Sequence, residues 1–233
     1  PILEKMAKES KGAFRLAKVD VDENPNLPLR YNVRSIPTVK AFIQGEVVSE
    51  FTGLQTEDRL QDFISRLAPT PFDLILEKGA SYLQMHQWKQ AEYSYREVLN
   101  EKPDHTGGLL GLSKSLLGQG VSAEALEILQ DFPPSREFAK AEILLPLAQA
   151  LSKLDQGKLS AETPLDAAYS NALRLVKRSN IPAALDGLLD ILRQDKRYQD
   201  GAARQIFLAL LEVLGEDDPQ TRQYRDELAS TLF

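Results

Sequence analysis

Apolar and polar positions along this chain follow two periods, and the change of period divides it. Ile2, Leu3, Met6 and Ala7 recur at helical spacing with no cap before them, so the sequence opens inside a helix. Gly12 interrupts that pattern, and residues 14–21 alternate with period two, as a strand does. Asn24-Pro25 starts a short helix through about Tyr31. Strands follow at 38–43 and 47–51, joined by Gln44-Gly45-Glu46, whose glycine suits a hairpin turn. Gly53 ends the second strand. Thr56 then caps a helix to about Leu67, with Glu57 and Asp58 where the helix dipole favours acids. The proline-containing stretch 69–71 is a linker between an α/β segment, 1–68, and a segment, 72–233, that is helical throughout.

In the second segment one set of intervals occurs three times: Gly79, Tyr82, Ala91, Tyr95; Ser113, Leu116, Ala125, Leu129; and Ala172, Leu175, Ala184, Leu188. The first two sets lie 34 residues apart, the period of the tetratricopeptide repeat, a helix pair that buries its apolar face only against a stacked neighbour. The small residues let two helices approach, and the larger ones fill the groove between them. Helix pairs are expected at 72–87 with 88–100, and at 109–117 with 123–130. The interval then grows to 59 residues, which makes room for one more helix, 136–154, kinked at Pro146. A third pair at 165–196 and closing helices at 202–214 and 220–233 complete an array that needs a terminal cap.

A formal charge of −6 argues against a nucleic-acid partner, since phosphate binding draws on a basic surface. No apolar run is long enough for a membrane span. There is no cysteine, so these 233 residues hold no disulfide, thiolate metal site or redox centre, and no cofactor is implied. Asp20-x-Asp22-x-Asn24 begins like a calcium loop, but Pro25 stands where the turn needs glycine and Tyr31 where a closing glutamate is needed, so it reads as a turn. His86 and His105 are too few for a metal site and read as helix-end residues, and Trp88 as packing. The glycines at 107–108, 118 and 120 fall at helix boundaries.

Several residues in the first segment resemble the C-terminal two thirds of a thioredoxin domain: Pro1 to Lys5, Ala17 to Pro25, Tyr31 to Thr38, and Gly45 to Val48 followed by Gly53. The resemblance implies a cis Ile36-Pro37 bond beside which an extended peptide pairs, and it places the family's redox motif upstream of Pro1. It also implies a sheet with a central strand missing between 14–21 and the hairpin. More residues are therefore expected at the N-terminus, any signal peptide would lie there too, and the cis bond is expected to depend on that unit or on another chain.

The combination of a thioredoxin-like segment with degenerate repeats, ending in Tyr224-Arg225-Asp226-Glu227-Leu228 and Leu232-Phe233, resembles the bacterial YbbN family, also called CnoX. The resemblance implies a cytoplasmic co-chaperone that holds unfolding client proteins under oxidative stress and delivers them to a GroEL-type chaperonin. Repeat arrays that grip a peptide carboxylate place lysine and asparagine where this chain has Leu76 and Ala80, so that clamp is disfavoured. The expected peptide-binding residues are Ile36, Pro37, Leu76, Leu83, Leu110 and Leu117, with core packing as the alternative for the leucines. The stripe Tyr224, Leu228, Leu232 and Phe233 is expected either to dock on the chaperonin or to cap the array. A disulfide oxidoreductase with an upstream Cys-x-x-Cys and a plain assembly scaffold remain as other readings.

Overall fold

The computed structural model describes residues 2–10, 14–43, 45–67 and 71–232, which fall in two compact units, 1–70 and 71–233. The first holds helix α1 (Ile2–Glu9), the short α2 (Asn26–Arg30), strands β1 (Thr38–Ile43) and β2 (Glu46–Thr52), and helix α3 (Glu57–Ser65). The strands form an antiparallel hairpin whose register runs from Thr38 opposite Thr52 to Ile43 opposite Glu46, with an irregularity at Ala41 and Phe42. Gly45 turns it in the left-handed region, φ 86°, where a side chain would be strained. The Thr56 hydroxyl accepts from the Arg59 amide at the start of α3, as its sequence position implies. Phe51 and Phe63 meet edge to face at 4.9 Å, tying the hairpin to that helix.

Two expectations for this unit are corrected. Residues 14–21 form no strand: Phe14, Leu16 and Val21 are partly covered, residues 17–20 are all exposed, and among the described residues the sheet is the two-stranded hairpin. Alternation makes a strand only where a neighbouring chain takes up the backbone donors and acceptors. The Ile36–Pro37 bond is cis in this chain as it stands, without the upstream unit or second chain on which it was expected to depend.

The second unit is helical: α4 (Pro71–Gln84), α5 (Trp88–Glu101), α6 (Thr106–Gly118), α7 (Ala123–Gln130), α8 (Phe138–Asp155), α9 (Pro164–Lys177), α10 (Ile181–Gln194), α11 (Tyr198–Leu214) and α12 (Pro219–Leu232). The pairs α4/α5, α6/α7 and α9/α10 carry the three interval sets. Of those twelve positions, only Tyr82 and Leu175 keep partial exposure. Helix α8, with Pro146 inside it, occupies the long interval and packs against α7 and α11.

Rings seated on glycines lock the first two pairs together. Trp88 and Tyr95 lie seven residues apart on α5, as Gly118 and Gly111 do on α6. A Cβ on Gly118 would come within 2.5 Å of the Trp88 ring, one on Gly111 would overlap the Tyr95 ring, and one on Gly79 of α4 would meet Tyr95 at 2.9 Å. Burial pushes the Tyr95 phenol up to about 12. Helix α6 then disappears among its neighbours: it packs against α4, α5, α7, α8, α9 and α11 and is buried on every side. Its Lys114 pairs with Glu212 of α11 at 2.6 Å, both nearly covered.

The α9 start is built around one carboxylate. Thr163 and Asp166 form a reciprocal capping box. The buried Asp166 also accepts from Ser160 Oγ at 2.8 Å, the Glu162 amide at 3.1 Å, Tyr198 Oη at 2.6 Å and Gln199 Nε2 at 2.9 Å. Tyr198 first, then Ser160, holds this carboxyl well below the usual aspartate range. A depressed carboxyl pKa gives stability that is complete above the unfolded value, near pH 4, and is lost as pH falls through the folded value. Asp166→Asn, which cannot ionise, is therefore expected to melt earlier than the parent at pH 7, with the gap narrowing in acid well below pH 4. Melting curves across pH check this; a gap constant with pH would exclude the carboxylate as its source.

Candidate functional site

The residues expected to touch a peptide fall into three kinds of place. Ile36 stands in the open at 72 % exposure, with Pro37 exposed beside it. The Pro37 carbonyl accepts from the Gly53 amide at 2.8 Å, which brings Leu54, 91 % exposed, to the neighbouring chain. Leu29, 80 % exposed, lies just after Pro28, whose carbonyl accepts from the Val33 amide at 2.8 Å. Ile36 and Leu54 thus stand on adjacent loops and Leu29 on α2, three aliphatic side chains left outside any packed core. Leu29 and Leu54 were missed from the sequence; an isolated leucine beside proline or glycine in a polar stretch is the signal that marks them.

The four leucines on α4 and α6 divide. Leu76 and Leu83 are half-buried against the helical core. Leu110 and Leu117 belong to that core, which corrects their assignment to an open groove: α6 has a neighbour on every side and no free face.

The C-terminal stripe is likewise turned inward. Tyr224 is 8 % exposed and donates through Oη to Asp186 Oδ1 at 2.9 Å and to the Pro182 carbonyl at 3.2 Å, and its ring meets Phe207 edge to face at 6.1 Å. Burial first, then Asp186, raises its phenol pKa. Leu228 is buried and Leu232 half-buried against the same core; Phe233 lies outside the described residues. In this arrangement the stripe caps α10 and α11.

The remaining polar residues do structural work. His105 caps α6, its Nδ1 accepting from the Gly108 amide at 3.0 Å, and its ring meets Phe72 at 4.9 Å. His86 stacks on Trp88 at 5.1 Å and lies 3.1 Å from Asp218, whose other oxygen accepts from the Gln220 amide at the start of α12. In the turn at Asp20 the carboxylate accepts from the Asp22 amide at 2.9 Å. No helix among the described residues is long and apolar enough to cross a membrane.

Residues 1–66 match the family model for thioredoxin, and residues 147–233 match that for the tetratricopeptide repeat. A thioredoxin-like segment precedes a repeat region. The first 66 residues are similar to a thioredoxin of Rickettsia felis at 42 % identity, a match that covers 28 % of this chain and 63 % of that protein. A mitochondrial thioredoxin of Mus musculus is 42 % identical over 67 residues, 29 % of this chain and 40 % of its own. The chain thus spans less than two thirds of the length of these thioredoxins. An uncharacterised protein of Mycobacterium tuberculosis is similar over 98 % of this chain and 71 % of its own length, at 24 % identity. Protein–protein interaction is what a repeat region of this kind implies.

Proposed function

We propose that this protein is a non-catalytic co-chaperone that holds unfolded polypeptides and passes them to a chaperonin of the GroEL type. The observation that carries the reading is the bare aliphatic pair Ile36 and Leu54, brought together by the Gly53–Pro37 backbone bond, with Ile36 in the place where the thioredoxin resemblance puts an extended peptide; Leu29 is a further exposed aliphatic side chain of the same unit. Unfolded chains expose apolar side chains, and each that is buried on binding contributes about 1.5–3 kcal/mol. Leu76 and Leu83 add partly open apolar area in the helical unit. A role under oxidative stress and a bacterial cytoplasmic location belong to the same proposal. The 233 residues contain no cysteine to carry the thiol chemistry of the thioredoxins they resemble.

Light scattering from a chemically unfolded client protein tests the holding activity. The Ile36→Asp, Leu54→Asp double variant is expected to suppress aggregation several-fold less than the parent at unchanged melting temperature. Equal suppression by the two proteins would move the activity away from this surface. Delivery through Tyr224, Leu228, Leu232 and Phe233 requires α12 to leave its seat, which unburies Tyr224 and Leu228 at a cost of roughly 3–6 kcal/mol that the chaperonin groove must return. A chain ending at Gln223 is expected to lose chaperonin binding in a pull-down while still holding clients. Retained binding defeats docking by this helix.

A further inference from the structure

Helices α8 and α11 enclose, with the loop after α8, a pocket of about 180 Å³. That is the volume of about six waters, at roughly 30 Å³ each, room for one terminal amino-acid residue. Its charge is unusual for a chain of net −6: Lys153 and Lys158 both line it, and neither has an ion-pair partner among the described residues. Two acids close by in sequence are engaged elsewhere. Asp155 is held by Ser122 and Lys177, and Asp166 by its five donors, so the pocket keeps a net positive charge even with Asp166 counted. The two lysines are fixed relative to each other by the end of α8, where the Lys158 amide donates to the Lys153 carbonyl at 2.9 Å around Gly157 in the left-handed region, φ 65°.

The opposite wall is suited to an aliphatic side chain and an extended backbone. Pro146, Ala150 and Ile206 supply apolar surface. Pro146, inside α8, has no N–H of its own to place in the wall, so its ring presents only apolar surface. Gln149 and Gln205 bring side-chain amide donors. The backbone beside the pocket is strained as well: Gln199 and Asp200 stand at φ 44° and 55°, followed by Gly201 at 91°. Non-glycine residues reach this region at a cost, and such outliers gather at ligand clamps. Here the strained Gln199 lines the pocket and is pinned by its bond to Asp166.

We infer that this pocket binds the C-terminal residue of a polypeptide, with the terminal carboxylate on Lys153 and Lys158 and an aliphatic side chain against Pro146, Ala150 and Ile206. The inference rests on the polypeptide-binding reading and gives it a chemical preference for free chain ends. It also places a carboxylate site in the helical unit, far along the chain from the first repeat, where the residues of a clamp are lacking.

Calorimetric titration of the full chain with acetyl-Ala-Ala-Leu tests it, against the same peptide as its C-terminal amide and against sodium acetate. The free acid is expected to bind at least tenfold more tightly than the amide. The Lys153→Gln, Lys158→Gln double variant is expected to abolish that difference at unchanged melting temperature, since both side chains are exposed. Equal binding of acid and amide, no binding of either, or a difference that survives the double variant overturns the inference. Acetate binding as tightly as the peptide also overturns it, by leaving a bare anion site. Aggregation assays on the same samples separate the two ideas: client holding without acid preference sinks this inference alone, and acid preference without client holding sinks only the wider reading.

Discussion

Tyr95→Ala is expected to cost the helical unit about 3–5 kcal/mol, the range for losing a large buried ring. A domain of this kind is stable by only about 5–15 kcal/mol, so the variant stands near the threshold of folding. The reason is specific: the ring fills the notches left by Gly79 and Gly111 and joins three helices at once. A double-mutant cycle in urea separates this from mere loss of apolar area. In the parent, Gly111→Ala pushes a methyl into the Tyr95 ring and is expected to cost about 1–3 kcal/mol. In the Tyr95→Ala background the same change meets no ring and gains up to about 1 kcal/mol of helix propensity. The effect should therefore reverse sign. If Gly111→Ala has the same effect in both backgrounds, the notch is not what the ring depends on.

The second large effect is expected at Gly120. Its backbone is left-handed, φ 73°, and an added Cβ would run into the backbone of Lys177 in α9. Overlap with backbone cannot be relieved by a rotamer change. The left-handed penalty of about 1–2 kcal/mol and an overpacking cost of about 1–3 kcal/mol together predict a loss of roughly 2–5 kcal/mol for Gly120→Ala. The midpoint of chemical unfolding measures it. A loss under about 1 kcal/mol would show that the two turns can separate freely.

What could be read from the sequence was what local chemistry decides. Gly45 between two alternating runs specifies the hairpin, Thr56 the start of α3, and the intervals of three, nine and four the helix pairs. The misreadings share one cause. Residues 14–21 have the period of a strand, but a strand is a relation between two chains and the pattern describes only one. Leu110 and Leu117 lie seven residues apart, as a groove-lining stripe would, yet apart from Lys114 α6 has apolar or small residues all round, and its position among six other helices is set by segments far away in sequence. The carboxylate of Asp166 shows the other side of this. Its cap on α9 is legible from Thr163, while Tyr198 and Gln199 reach it from 32 and 33 residues away.

The contact between His86 and Asp218 has a consequence for how the helical unit comes apart. A linear stack of repeats touches only nearest neighbours, so its ends fray independently and its stability is a sum along one dimension. Here the turn of the first helix pair meets the residue that starts the last helix, and Lys114 is paired with Glu212 between those ends. The array is thus tied across its length by these two contacts and not only between neighbouring helices. Opening either end strips partners from the other, which converts a series of small, separable melting steps into one cooperative event.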